Sequence, residues 1–110
     1  MIRLKSDLWV RAYLQHLQQA DIPAFVVAKG DPDSGAVMIK LNLMNGSSRL
    51  FQRSFDFQTN RRSWILSEES EDHDIDERIR REMNRDSDLW IIEVEDRHGR
   101  TMLDESGLIE

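Results

Sequence analysis

An Asn45-Gly46 pair stands between two runs of alternating apolar and polar residues, VMIKLNLM before it and SSRLFQRSF after it. Both central residues of a type I′ turn need φ > 0, which Asn and Gly adopt at little cost, so this pattern predicts a β-hairpin. A two-residue loop would set Met44 opposite Ser47, Leu41 opposite Leu50, Lys40 opposite Phe51, Ile39 opposite Gln52 and Met38 opposite Arg53. On that register Val37, Ile39, Leu41 and Leu43 share one face of the first strand and Leu50 joins it. Met38 and Phe51 then lie beside Lys40, Arg49 and Arg53 on the other.

The strand Ala36 to Met44 is preceded by Gly30-Asp31-Pro32-Asp33-Ser34-Gly35. Pro fixes φ, Asp bonds nearby backbone and Gly permits unusual φ, so this is a turn. Before it, Ala24 to Lys29 contains the run Phe25-Val26-Val27 and reads as a strand. Val10, Tyr13, Leu14 and Leu17 recur at helical spacing, with Ser6 as the expected N-cap and Pro23 beyond the end, predicting an amphipathic helix over about 6–20. Downstream, 56–62 reads as a polar connection and Ser63-Trp64-Ile65-Leu66 as a strand. The acidic run 68–74 reads as a solvated loop. Asp74 with Glu77 resembles a capping box, and Ile75, Ile79 and Met83 predict a second one-stripe helix to about Asn84. Leu89 to Glu95 is a strand, 97–100 a turn and Thr101 to Leu103 a short partner strand, with 104–110 as a tail. The expected architecture is α+β: a mainly antiparallel sheet of five or six strands with two amphipathic helices packed on it, in a single compact domain over 1–110.

Three blocks, SDLWVRAYL, GDPDSGAVMIK with its hairpin, and DLWIIEVEDRHGR, resemble in order those of a small bacterial family, domain of unknown function 1491. The resemblance implies a compact stand-alone bacterial domain. It implies no activity, cofactor or catalytic residue.

The chain has 110 residues, no cysteine and a net charge of −6, with twelve Arg and three Lys. Thiolate chemistry is excluded, and a reducing, cytoplasmic setting is expected. No signal peptide is visible, and no apolar run reaches the ~20 residues of a membrane span. The acidic balance argues against a protein that tracks phosphate backbones, although Arg49, Arg53, Arg61 and Arg62 could form a local patch for nucleic acid. Asp31 and Asp33 in the turn, Glu93 and Glu95 on one strand face, and Asp96 after them would serve a divalent-metal hydrolase or nuclease only if they converged. Turn chemistry already explains the two aspartates. His16 is expected on a helix flank, and His73 and His98 in loops, too scattered for a helical metal motif. No nucleophile elbow, phosphate loop or dinucleotide fingerprint is present, and no cofactor or catalytic residue is assigned. Trp9, Trp64 and Trp90 are expected in the core, or one of them beside a groove. The leading expectation is a small non-enzymatic binding or adaptor domain, contacting a protein partner or its own copy. Its candidate contact residues are Met38, Arg49, Phe51 and Arg53, since apolar area mixed with Arg is enriched at interfaces.

Overall fold

The computed structural model describes residues 4–104. Its elements in chain order are α1 (Ser6–Gln19), β1 (Ala24–Ala28), β2 (Val37–Asn42), β3 (Ser47–Asp56), β4 (Arg61–Glu71), α2 (Asp72–Arg85) and β5 (Trp90–Glu95). The strands form one five-stranded sheet in the order β1-β5-β2-β3-β4, with β2 and β5 parallel and the other pairs antiparallel. The α+β expectation holds, with one helix on each face of the sheet. The expected tail lies outside the described residues apart from Asp104.

Helix α1 forms because Trp9, Val10, Tyr13 and Leu17 fall on one face, where all four are buried against Val37, Ile39 and Leu41. It ends in a Schellman arrangement. Ile22 N–H donates to the Leu17 carbonyl (2.9 Å) and Asp21 N–H to that of Gln18 (3.1 Å), with Asp21 left-handed at φ 58°. The N-cap is Lys5 rather than Ser6, whose hydroxyl instead donates to the Gly35 carbonyl at 2.6 Å and ties the helix to the turn before β2. On the opposite face, Ile75 and Ile79 of α2 pack with Met38, Leu50, Leu89 and Ile91. β2 lies between the two layers, so Val37 through Leu41 are buried in succession.

The hairpin forms, but its register differs from expectation by one residue. Lys40 pairs with Leu50, Leu41 with Arg49, Ile39 with Phe51 and Met38 with Gln52. The loop holds three residues, Met44, Asn45 and Gly46, closed by Leu43 N–H donating to the Ser47 carbonyl (3.1 Å). Positive φ falls at Met44 (61°) and Gly46 (93°), and the Asn45 side chain accepts from the Ser47 N–H and hydroxyl. A one-residue slip moves every side chain of a strand to the other face. Leu50 therefore packs under α2, and Arg49, Phe51 and Arg53 face the α1 side.

Four further expectations are corrected. The acidic run is no loop: 68–71 complete β4, and Asp72 opens α2 with Glu71, not Asp74, as its N-cap. The connection between β3 and β4 shrinks to 57–60. His73 lies in α2 rather than in a loop. Residues 101–103 form no strand. Thr101 is held instead by Tyr13, whose phenol donates to its carbonyl at 2.7 Å, and Leu103 is buried in the α1-side core.

Candidate interaction surface

β1 and β4 are the two edges of the sheet, and among the described residues no strand pairs with the outer side of either. β1 is five residues long, carries a bulge between Val26 and Ala28, and lies between Pro23 and Lys29. Bulges, proline and lysine are the usual means by which an edge is kept from pairing. β4 runs for eleven residues with neither Pro nor Lys along it. Its N-terminal half is basic (Arg61, Arg62), its centre apolar (Trp64, Ile65, Leu66) and its C-terminal half acidic (Glu68, Glu69, Glu71). Ile65 and Leu66 are 40% and 49% exposed. A bulge at Ser67 lets Leu66 face Phe51 while Glu68 faces Leu50. Arg78 of α2 holds this bulge, donating to the Ser67 hydroxyl (3.0 Å), Glu68 (2.8 Å) and Glu82 (3.2 Å). The hairpin continues past the end of β2 to a tip where Phe55 and Phe57 meet edge to face at 5.0 Å, with Phe57 88% exposed.

The four residues expected to form one contact face do not lie together. Met38 is buried beneath α2, whereas Arg49, Phe51 and Arg53 lie on the other side of the sheet. Arg49 pairs with Glu69 across the hairpin (2.9 Å). The Arg53 guanidinium lies over Trp9 (4.7 Å) and Trp64 (5.0 Å), whose rings are themselves 5.3 Å apart, a cation–π cluster that roots the hairpin on α1. Arg61 and Arg62 stand on the outer strand β4.

A cleft of about 450 Å³ opens where α1, the Gly30–Gly35 turn and the hairpin meet, lined by residues including Lys5, Asp33, Arg53, Arg62, Glu82 and Asp86. Charges of both signs line it, no histidine is among them, and Lys5 already pairs with Asp33 (3.6 Å).

The carboxylates weighed for a metal have separate structural tasks. Asp31 closes its own turn, accepting from Ser34 N–H (2.8 Å) and hydroxyl (3.2 Å) and from Asp33 N–H (3.2 Å). The Ser34 backbone bond, above all, holds its carboxyl below the ordinary aspartate range. That turn is docked by the Trp90 indole N–H, which donates to the Asp31 carbonyl at 2.7 Å. Glu93 faces Lys40 instead (3.4 Å). Asp96 is occupied by Arg100, which donates from its backbone and guanidinium at 2.7–3.1 Å and lowers the carboxyl pKa. Among the described residues the ligand-type groups that do cluster are His73, Asp74 and Glu77, all exposed on one turn of α2. Asp31, Asp33, Glu93 and Glu95 do not come together.

Sequence reasoning missed Lys40. It is 3% exposed in the middle of β2, and its ammonium meets Asp76 (2.6 Å), Asp72 (2.7 Å) and Glu93 (3.4 Å), while Ser48 donates to Asp72 (2.7 Å). Burial alone would pull its pKa down. The hydrogen bonds to Asp72 and Asp76 and the charge of Glu93 outweigh that and hold it above the usual lysine value. The signal in the sequence was a lysine within the otherwise apolar run Val37 to Leu41, with two aspartates four residues apart at the start of a helix.

A model for a protein family of unknown function, DUF1491, matches residues 4–104. A crystal structure of a DUF1491 family protein from Caulobacter crescentus CB15 is 32% identical with a TM-score of 0.81, covering 94% of this chain and 96% of that one. A solution structure of a DUF1491 family protein from the same organism is 33% identical with a TM-score of 0.81 and 96% coverage of both chains. A solution structure of a protein from A. tumefaciens is 27% identical with a TM-score of 0.77 and 93% coverage of both. No curated protein matches the chain. Among the described residues no helix is long and apolar enough to cross a membrane.

Proposed function

The chain belongs to the DUF1491 family, whose description assigns no activity, and from that premise we propose that it is a non-enzymatic protein-contact domain that acts by extending its sheet through the β4 edge. The observation that carries this reading is the β4 strand itself: eleven residues long, on the outside of the sheet, with Ile65 and Leu66 exposed at its centre. An edge strand offers a row of backbone donors and acceptors, and natural proteins blunt such edges unless they use them. Main-chain pairing then supplies affinity, and alternate side chains supply selectivity. The exposed Phe55–Phe57 tip adds apolar area beside the same strand. We place its action in the cytoplasm, on the cysteine-free composition.

Cross-linking with peptide mapping in native bacterial extract tests the reading. The expected result is a polypeptide linked along 61–71 whose yield collapses for Ile65→Lys with Leu66→Lys. An unchanged cross-link pattern in that variant, or none along β4, contradicts it.

A further inference from the structure

We propose that the polypeptide completing the sheet is a second copy of this chain, paired antiparallel β4 to β4 about a two-fold axis near Leu66; this rests on the β4-edge reading above. A two-fold interface must be self-complementary, since each residue that contacts a position on the partner is itself contacted by its equivalent. β4 has that property. Arg61 and Arg62 occupy one end, Glu68, Glu69 and Glu71 the other, and Trp64, Ile65 and Leu66 lie between them.

Antiparallel pairing brings the basic end of each copy to the acidic end of the other and the apolar centres together. The bulge fixes the register. Arg62, Leu66 and Glu71 stand opposite Phe55, Phe51 and Ser47, which are alternate positions of β3 and so share the α1 face. With Ser67 bulged in both copies and Leu66 at the axis, Arg62 falls opposite Glu71 of the second copy on that common face, twice by symmetry. A parallel pairing would set Arg against Arg and Glu against Glu. The other edge lacks this logic. β1 is short and bulged, and its apolar residues Phe25, Val26 and Val27 are uncharged along their whole length, so nothing there selects a partner.

The test is light scattering of the purified full chain over a range of concentrations. The wild type is expected to pass from monomer to dimer. Arg62→Glu and Glu71→Arg each replace two attractive pairs with two repulsive ones and weaken the dimer about tenfold or more. An equimolar mixture of the two variants restores it, because the heterodimer regains complementary pairs at both positions. Leu66→Lys, which sets two ammonium groups at the axis, is expected to stay monomeric, and circular dichroism confirms that each variant folds. A wild type that remains monomeric, variants that dimerise like the wild type, or a mixture that fails to recover overturns the proposal. A monomer whose β4 still cross-links to a different polypeptide overturns self-pairing alone. A monomer with no β4 cross-link overturns the function proposed above as well.

Discussion

Lys40 shows how one residue can join three elements. Its ammonium is buried, yet the carboxylates that balance it keep contact with water, Asp72 at 38% exposure and Asp76 at 44%. The two sides of this ion pair are therefore unequal. Removing Asp72 and Asp76 leaves a cation that has no solvent of its own with Glu93 alone to balance it, whereas removing the cation leaves Asp72 and Asp76 able to hydrate and only Glu93 poorly solvated. We expect Asp72→Asn with Asp76→Asn to cost about 3 kcal/mol, and the volume-matched Lys40→Met only about 1 kcal/mol, in urea unfolding. The pH dependence follows the same contacts. The Lys40 hydrogen bond holds the Asp72 carboxyl below its unfolded value. A depressed carboxylate contributes stability that is present above the unfolded pKa, about 3.9, and is lost as pH falls through the folded one. The wild type should therefore lose stability below about pH 4 more steeply than Asp72→Asn, as followed by acid titration of the unfolding midpoint. Equal slopes would contradict the assignment. Lys40 itself was visible in the sequence, but its partners were not: Asp72 and Asp76 lie thirty-odd residues on, Asp72 in a run that read as solvated loop and Asp76 on the predicted helix with nothing to say which strand it would face.

Elements were legible where one face of a periodic pattern is buried. α1 appears within a residue of its predicted end, and Ile75, Ile79 and Met83 mark α2 correctly because a single stripe against a sheet is what the helical period encodes. β4 was legible only in its apolar centre. Its ends are polar because they sit on a sheet edge, where alternation carries no burial signal, and so 68–71 looked like loop. The hairpin shows the sharper limit. Asn45-Gly46 does mark the turn, yet positive φ falls at Met44 and Gly46 rather than at the Asn-Gly pair, and that one extra loop residue reverses the faces of β3. The contact face drawn from Met38, Arg49, Phe51 and Arg53 dissolved for this reason alone. Two glycines separate the forces that shape these connections. A Cβ at Gly30 would collide with the backbone of Asp88 and Leu89, so Gly30→Ala must push the turn off the segment that leads into β5. We expect it to cost about 3 kcal/mol. At Gly46 a Cβ meets nothing within 4 Å, and only φ of 93° opposes it. Gly46→Ala should cost about 1 kcal/mol, an ordering that thermal unfolding would check and that equal losses would refute.

At the scale of the molecule, a helix packs on each face of the sheet, and among the described residues its edge strands β1 and β4 have no strand on their outer sides. The sheet order explains why. β2 and β5 are central and take a helix on each side, which pushes β1 and β4 outward. That order depends on a parallel β2–β5 pair closed by a long crossover, a contact no local pattern announces. The sequence therefore carried the α+β class and the amphipathic helices, but not which strands would lie outside, and the interaction surface proposed here is a property of that placement. The most direct test is the backbone amide spectrum of the isotope-labelled full chain as its concentration is raised. Shifts that grow with concentration along 61–71, with β1 unmoved, are the predicted result. Shifts centred on 24–28, or a spectrum that does not change with concentration, would contradict the pairing of β4 with a second copy.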